Sequence, residues 1–524
     1  MTIASTYASA ISRRHSGATP DFLVSCAVVI GSGLLAAVFG QSNSWDLHNY
    51  HLYDGWAFWT DRGDLDFAAA QMQTYFNPLL ATATYLLFVG TPPWLSAFLL
   101  GTVQGANFLP LRVLAARVLP RAYGDVGGWV PTCVALVGVC GATQLGELGS
   151  SIGDNLISLP ILCAFALVVR ASELDFARVA GAGLLVGLTT GVKLTVAPFA
   201  AGLMIAVLLL AWNQRNRWQI ILAASAAAAA GFLATDAFWM LRLYREFGNP
   251  LHPMFGDFFG GAYTAPMPTR DIRFIPRNAL EWLLYPLVWV NSPQLVSDSP
   301  FFDLRIPSAF LLAPLLLWRC ANVDRRVERT LLIALAIAYV IWLSLFGIYR
   351  YLAPLEMLAP LLLMAALMRL AVPAATIAAT ILLAAIVVSV APPKLGHLHD
   401  LNGEYLDTSI PALPGLNNAT IMLVEDQPLA FLALGFPPTT RFVRIGGNIL
   451  GPPYPTYEMD REAARRIATA DGPLYALVLD PGSERTGAVL ARQHIELDFP
   501  CGAVKSNMAT APVKLCPAHR GAQP

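Results

Sequence analysis

Apolar stretches about as long as a bilayer is thick recur from Asp21 to about Val390, and they constrain the fold more than any other feature. A transmembrane helix needs roughly 20 predominantly apolar residues. Hydrophobic residues make up 56% of the 524-residue chain and charged residues only 13%, which is unusual for a soluble domain. The sequence therefore predicts a polytopic α-helical membrane protein, followed from residue 392 by a soluble tail.

The charge pattern excludes nucleic acid as a partner and favours a retained first helix. The formal net charge is zero and the arginines are scattered between apolar stretches, whereas nucleic-acid-binding domains carry a basic patch. The run from Phe22 to Gly40 follows Arg13 and Arg14, but it is long for a signal peptide and lacks a small-x-small cleavage site. We expect a cytoplasmic segment, residues 1–20, before this helix.

The distribution of Lys and Arg predicts the sidedness of the loops, because cytoplasmic loops are enriched in both residues. One arrangement places most loop arginines in the cytoplasm, provided that Phe76 to Pro93 does not cross the membrane. The transmembrane domain is then residues 21–391, with about eleven crossings from a cytoplasmic N-terminus to an external tail, residues 392–524. The expected spans are 22–40, 94–116, 127–146, 156–170, 178–191, 195–212, 218–240, 306–319, 330–347, 352–369 and 373–391.

Three outer segments, residues 41–93, 145–155 and 241–305, carry the chemistry. The first begins with SWDLHNYHLYDGWAFW, whose titratable groups alternate with aromatic rings. A helix would place five of its residues on one face. They are Asp46, Asn49, Tyr50, Tyr53 and Asp54, and His51 lies in the same stretch. The alternative is an amphipathic helix that rests on the membrane with its acids solvated.

The second segment, LGELGSSIGDN, holds Glu147 and Asp154 where a helix re-enters the bilayer. Carboxylates at that depth are costly unless they face a cavity or a cation, so both are candidate functional residues. Asp154 would also suit a helix N-cap. Lys193 and Arg350 lie at outer helix ends, against the usual charge bias, which predicts an anionic partner such as a lipid phosphate. The alternative for each is a side chain that snorkels to the headgroups.

The third segment contains LRLYREFGNPLHPMFGDFF. His252 could donate or accept a hydrogen bond there, and Arg242 adds positive charge to the same face. A lone histidine is more often structural than catalytic, which is the alternative for His252.

These motifs, in this order, resemble bacterial members of the GT-C superfamily. They are an outward-facing acid after the first helix, an aromatic segment followed by YFNPLL, a second acid in GDN, a GNPLHP loop and a late RYLAP. GT-C proteins are integral-membrane glycosyltransferases that use polyprenyl-phosphate-linked sugars. Protein O-mannosyltransferases and lipid A aminoarabinose transferases are relatives. The resemblance covers roughly residues 20–395.

The resemblance implies a role for each main candidate. Asp46 would be the general base, with its pKa raised towards the working pH at a partly dry interface. Asp154 would orient the acceptor or bind a metal, and Arg350 with Lys193 would hold the donor phosphate. The further expected substrate-binding residues are Tyr50, His51, Glu147, His252 and Arg242. Many relatives carry adjacent acids, whereas Leu47 follows Asp46 here, so dependence on a divalent cation, Mg²⁺ or Mn²⁺, stays open. No soluble cofactor is implied.

In the tail, short apolar strands alternate with helix-like segments, which predicts a small extracytoplasmic α/β domain with a parallel sheet. Cys501 and Cys516 bracket two short predicted strands whose ends a disulfide could join. That bond requires an oxidising compartment, in agreement with the predicted orientation. The tail is expected to cover the outer cavity or contact the acceptor, or to be a purely structural cap.

The sequence therefore favours an inverting glycosyltransferase of a bacterial inner membrane. It would move a sugar from a polyprenyl-phosphate donor to a glycan, lipid or protein acceptor at the periplasmic face, among membrane lipids. The main alternative is a transporter or flippase of lipid-linked glycans, although we find no internal repeat of the kind that transporters often show. A structural assembly protein is a second alternative.

Overall fold

The computed structural model describes residues 18–119, 129–170, 174–318, 326–368, 373–398 and 403–521. Most of the predicted N-terminal segment, including Arg13 and Arg14, lies outside these residues. A helical domain extends to Ser389, and a mixed α/β domain follows it. The helices of the helical domain are α1 (Ala18–Phe39), α2 (Leu52–Trp59), α3 (Leu79–Gly90), α4 (Pro93–Gly105), α5 (Phe108–Val118), α6 (Val130–Val139), α7 (Ala142–Gly146), α8 (Asp154–Arg170), α9 (Phe176–Val192), α10 (Ala197–Ala211), α11 (Arg217–Phe247), α12 (Gly256–Phe259), α13 (Ala279–Val288), α14 (Arg305–Trp318), α15 (Arg326–Leu345), α16 (Ala353–Met368) and α17 (Pro373–Ser389).

The helical domain has the composition and helix lengths of a membrane protein. Within the described residues, six helical segments are long and apolar enough to cross a bilayer. They are Asp21–Phe39, Pro93–Val118, Leu194–Ala211, Arg217–Phe247, Val327–Leu345 and Tyr349–Met368. A helix also lies at each of the other predicted spans, but these helices are shorter. The number of eleven crossings therefore stays a prediction.

Helix α3 lies in the segment that was predicted not to cross. It is only 12 residues long, about 18 Å at the α-helical rise of 1.5 Å per residue. That length is well short of a bilayer's hydrocarbon thickness of about 30 Å.

Small residues set the closest helix packing in the membrane domain. A Cβ atom built on Gly183 would lie 2.2 Å from the carbonyl oxygen of Ala224, and one on Gly187 would lie 2.0 Å from that of Ala228. Glycines at intervals of four residues, continued by Gly191, form one face of α9 and allow the backbone of α11 to approach it closely. This packing fixes the end of α9, immediately before Lys193.

The C-terminal domain contains a seven-stranded mixed sheet, β3 to β9, with the order β3-β8-β9-β6-β4-β5 and β7 paired to β9. Strands β5, β4 and β6 are parallel and the remaining pairings are antiparallel. A disulfide joins Cys501 to Cys516. The elements, together with the short pair β1–β2, are β1 (Gln41–Ser42), β2 (His397–Leu398), β3 (Thr408–Ser409), β4 (Thr420–Leu423), β5 (Arg441–Arg444), α18 (Glu458–Ala468), β6 (Leu474–Val478), α19 (Glu484–Arg492), β7 (Ile495–Leu497), β8 (Gly502–Ser506) and β9 (Val513–Arg520).

The first outer segment packs into this C-terminal domain. Phe67 extends the sheet edge by a parallel bridge to Val443, with its N–H donating to the carbonyl oxygen of Phe442 at 2.8 Å. The buried guanidinium of Arg62 donates to Asp66 and to the carbonyl oxygens of Pro438 and Thr440. The C-terminal domain therefore fixes the segment that carries Asp46.

Candidate active site

Four charged residues that are distant in the sequence form one chain of alternating charge. Arg350 donates a hydrogen bond to the carboxylate of Asp46. The Nε atom of Arg350 lies 3.7 Å from Oδ2 of Asp154. The Nζ atom of Lys193 lies 2.6 Å from Oδ1 of the same carboxylate. The structure thus brings together Asp46, Arg350, Asp154 and Lys193, which the sequence placed in four separate segments.

Asp46 precedes a turn of π-helix, Leu47–His51, and this turn alters the predicted arrangement of side chains. Because a π-turn has i→i+5 hydrogen bonds, the spacing expected for a regular α-helix does not hold. Asn49 donates to the carbonyl oxygen of Ala70, and Tyr53 donates to Asp66. The prediction that five residues share one face is therefore wrong. Only Tyr50 stays close to Asp46, and Asp54 is buried at a different site.

The loop before Asp154 is held by a buried polar network. The N–H groups of Ala142 and Thr143, which begin α7, donate to the carboxylates of Asp303 and Glu356. Carboxylates at a helix N-terminus bind the N–H groups that lack partners within the helix. At the other end of α7, Oε2 of Glu147 accepts from the N–H of Asn155 at 2.9 Å. This network determines where α8, and with it Asp154, begins.

Asp154 is 2% exposed, and its carboxylate faces the two cations. Oδ1 accepts from Lys193, and Oδ2 has no hydrogen-bond partner among the described residues. Lys193 also donates to the carbonyl oxygen of Ile152 at 3.0 Å. The described contacts therefore do not support the alternative that Asp154 serves only as a helix cap. Nor do they support the alternative that Lys193 snorkels freely.

Rings and a hydroxyl group complete the surroundings of the four charges. Nδ1 of His51 lies 2.9 Å from Oγ of Ser151, and the ring of Tyr50 packs edge-on against His51 at 4.2 Å between centroids. Both cations lie near the face of Tyr351, with Arg350 5.3 Å and Lys193 5.7 Å from the ring centroid. Cation–π contact stabilises positive charge at this distance. Tyr351 was missed in the sequence analysis, although it follows Arg350 directly.

The electrostatics of the site correct one expectation. Burial raises the pKa of Asp46, but the charges of Arg350 and Lys193 outweigh burial, so the net pKa lies below its ordinary value. The prediction of a raised pKa is therefore wrong for the protein as the structure shows it. Burial lowers the pKa of His51 to about 3, which leaves the ring neutral at pH 7. Burial also raises the pKa of Glu147 well above its ordinary value.

Beside Glu147, the cluster contains two carboxylates, Asp46 and Asp154, and two cations, Arg350 and Lys193. The exposed fraction of the side chain is 28% for Arg350, 17% for Lys193 and 12% for Asp46. The cluster is therefore reachable from outside at Arg350. An anion that binds there would compete with Asp46 for the guanidinium.

The structure places His252 and Arg242 away from this cluster. The imidazole of His252 stacks on Phe247, with 4.0 Å between centroids, and burial lowers its pKa to about 3. Asn249 binds the turn backbone at Leu251 and Met254, which directs His252 inward. Arg242 lies over the Trp239 ring. Neither residue contacts Arg350 among the described contacts, and their expected role in substrate binding stays a prediction. His252 belongs to an aromatic core, and Arg242 lines a separate cleft.

A divalent cation fits the described residues poorly. Mg²⁺ and Mn²⁺ prefer octahedral oxygen coordination. Among the residues described, no group of three or more His, Cys, Asp or Glu side chains converges for a metal ion. Asp46 and Asp154 each contact a basic side chain instead.

Comparison with known proteins identifies a shared fold. No family model matches the chain, and no curated protein matches it. The apo crystal structure of ArnT from Cupriavidus metallidurans superposes with a TM-score of 0.51 and 13% identity, over 95% of this chain and 98% of that chain. This chain has an ArnT-like fold. ArnT bound to undecaprenyl phosphate gives a TM-score of 0.44 and 11% identity over the same shares of the two chains. The similarity shows a shared fold, which is the fold that the resemblance in the sequence led us to expect.

Proposed function

We propose that this protein is an inverting glycosyltransferase of a bacterial inner membrane. It transfers a sugar from a polyprenyl-phosphate carrier to a glycan, lipid or protein acceptor at the periplasmic face. One observation carries the proposal. Arg350 is partly exposed, lies between two carboxylates and makes only one hydrogen bond to a side chain among the described residues. The ArnT-like fold supports the same class of enzyme.

The donor phosphate binds at Arg350 and Lys193. A guanidinium can grip a phosphate with two parallel charge-assisted hydrogen bonds, and Tyr351 orients both cations from one side. Asp154 is a positioning residue, because its carboxylate holds Lys193 at 2.6 Å and lies 3.7 Å from Arg350.

Phosphate binding prepares Asp46 for catalysis. Arg350 lowers the pKa of Asp46 in the resting enzyme. When Arg350 turns to the phosphate, Asp46 loses its counter-ion while its burial stays, so its pKa rises towards that of an effective base. The ion pair thus makes the base available only when the donor is bound.

The transfer step then follows from these positions. Asp46 takes the proton of the acceptor hydroxyl as the hydroxyl oxygen attacks the anomeric carbon from the face opposite the phosphate. The bond between that carbon and the phosphate oxygen breaks, and its electron pair leaves on the phosphate, where Arg350 and Lys193 stabilise the charge. Inversion at the anomeric carbon results. The side chains described at the site do not fit a metal ion, so a metal ion has no role in this scheme.

The lining residues have lesser roles in this scheme. His51 is neutral and hydrogen-bonds Ser151, so it fixes the π-turn against the Asp154 loop. Tyr50 packs beside Asp46 and against Phe76. Glu147 keeps the second loop in place by accepting from the N–H of Asn155, and its burial disfavours a negative charge near the phosphate.

The test compares four strains by mass spectrometry of envelope glycans and polyprenyl-phosphate sugar pools. They carry the wild type, a deletion, Asp46→Asn, or Asp61→Asn, an exposed control in the same segment. We expect the deletion and Asp46→Asn to lose the same sugar and to accumulate the same donor lipid, whereas Asp61→Asn matches the wild type. If Asp46→Asn is indistinguishable from the wild type while the deletion is not, transport of lipid-linked glycans becomes the better explanation.

A further inference from the structure

A second polar cleft lies beside the candidate active site and shares none of its charged residues. Its walls come from α2, from the loop that follows it, and from the C-terminal end of α11. The space inside the cleft amounts to about 50 Å³, and the cleft opens to solvent at its mouth. Its base has room for several water molecules.

Asp54 lines this cleft and is unpartnered. Its side chain belongs to a residue that is 5% exposed, and the carboxyl makes no hydrogen bond or ion pair with any described residue. A buried polar group without a partner is costly, and native structures contain few of them. Burial raises the pKa of Asp54 well above its ordinary value, which favours the neutral carboxyl, a group that can donate a hydrogen bond.

The other walls combine aromatic rings with polar groups that are already paired. Phe58, Tyr75 and Trp239 supply rings. Arg242 lies over the Trp239 ring and 4.0 Å from Glu246 at the rim. Arg62 and Asp66 also line the cleft, but their side chains bind each other and the C-terminal domain.

This composition selects a class of ligand by exclusion. An anion would meet three acidic side chains, and the two arginines of the cleft already lie beside Asp66 and Glu246. A cation would favour an ionised Asp54 carboxyl, which the burial of Asp54 opposes. An apolar ligand would leave that carboxyl without a partner. An uncharged hydroxyl group would give the Asp54 carboxyl a hydrogen-bond partner, and the faces of a sugar ring can pack against the aromatic walls.

We infer that this cleft binds an uncharged, hydroxyl-bearing carbohydrate portion of the acceptor, with the Asp54 carboxyl hydrogen-bonded to a ligand hydroxyl. This inference rests on the proposed function. Asp54 lies eight residues after Asp46 on a nearly continuous helix, about 12 Å along the axis at 1.5 Å per residue. One glycan can therefore place a hydroxyl at Asp46 and a neighbouring sugar in the cleft.

The test measures transfer by the purified full-length protein from labelled polyprenyl-phosphate sugar to envelopes of the deletion strain, which carry unmodified acceptor. For Asp54→Ala we expect at least a tenfold increase in the amount of envelope needed for half-maximal rate. The maximal rate and the KM for the donor stay within twofold. Asp54→Asn, which keeps a donor, should stay within threefold of the wild type. Asp64→Ala, an exposed acid in the same segment, should match the wild type.

A second variant and a stability measurement separate binding from folding. Ala57→Phe fills the cleft without removing Asp54 and should raise the half-maximal amount of envelope in the same way. Since Asp54 has no partner to lose, Asp54→Ala should melt at or above the wild-type temperature. The inference is overturned if both variants need the same amount of envelope for half-maximal rate as the wild type. It is also overturned if the use of the donor is impaired as much as the use of the acceptor. If the wild type itself transfers no sugar, the proposed function fails and this inference fails with it.

Discussion

The arginine–aspartate pairs Arg305–Asp303 and Arg350–Asp46 differ in how fully they are satisfied. Arg305 and Asp303 are 0% exposed. Arg305 also donates to the carbonyl oxygens of Val137 and Cys140, while Asp303 also accepts from the N–H of Ala142. Arg350 is 28% exposed and makes one side-chain hydrogen bond, to Asp46. A guanidinium has five donors, so Arg350 has spare capacity where Arg305 has little. The first pair holds the fold, and the second is built to change partners.

Removal of each arginine should separate these roles most clearly. Arg305→Met leaves Asp303 buried and unpaired, which typically costs about 3–5 kcal/mol. We expect loss of most folded protein in thermal unfolding followed by size-exclusion chromatography. Arg350→Met should shift the melting temperature much less, because Asp46 is partly exposed and Asp154 keeps its contact with Lys193. Equal destabilisation by the two substitutions would contradict the distinction.

Substitution of the carboxylate that faces Arg350 should affect rate and spare stability. Asp46→Asn removes the base but keeps the side-chain volume, so the transfer rate should fall by roughly 10²- to 10⁴-fold, the usual contribution of general-base catalysis. The melting temperature should change by only a few degrees. Single-turnover transfer with saturating donor measures the effect. A variant that retains more than about a tenth of wild-type rate would remove Asp46 from the mechanism.

Loss of Arg350 should weaken donor use before it affects acceptor use. Hydrogen bonds to charged groups contribute about 1.5–3 kcal/mol, so Arg350→Ala should raise the KM for the lipid-linked donor by roughly 10- to 100-fold. Arg350→Lys keeps the positive charge but cannot form two parallel hydrogen bonds, so its KM for the donor should lie between those of the wild type and Arg350→Ala. Steady-state kinetics with each substrate varied provide the measurement. If only the KM for the acceptor increased, Arg350 would be assigned to acceptor binding and not to donor binding.

The smallest expected effect is a shift in pH dependence. Arg350 holds the pKa of Asp46 below its ordinary value of 3.8. The pair's contribution to stability is therefore present above that value and is lost as pH falls through the lowered pKa. In the wild type, protonation of Asp46 should not reduce kcat/KM between pH 7 and pH 5. In Arg350→Ala, the largest charge that opposes burial is gone, so this pKa rises and the acid limb should move to higher pH. Coincident acid limbs would show that the two residues are not coupled.

The fold was largely predictable because its signals are local. Apolar stretches of bilayer length marked the helices, and alternating strand-like and helix-like segments marked the C-terminal domain. Charges placed against the usual bias singled out Lys193 and Arg350 at helix ends, and the structure places both beside Asp154.

The parts that were not predictable depend on contacts between distant residues. The π-turn after Asp46 interrupts the regular α-helical spacing, and no residue type in LHNYH predicts a π-turn. Asp54 resembled Asp46 in the sequence, but tertiary packing sends the two carboxylates to different sites. His252 was a candidate because an imidazole can donate or accept a hydrogen bond. The sequence indicated a turn at this position, but it did not show that the turn directs the imidazole inward against Phe247.

The edge pairing of Phe67 with Val443 has a consequence for the order in which the protein matures. Arg62 finds one of its partners, the carbonyl oxygen of Thr440, 378 residues later in the chain. The ribosome therefore releases the segment bearing Asp46 long before the strand that fixes it exists. A nascent or truncated chain thus holds the proposed base, Asp46, in a segment without its lasting support, and that support forms only when the tail has been made.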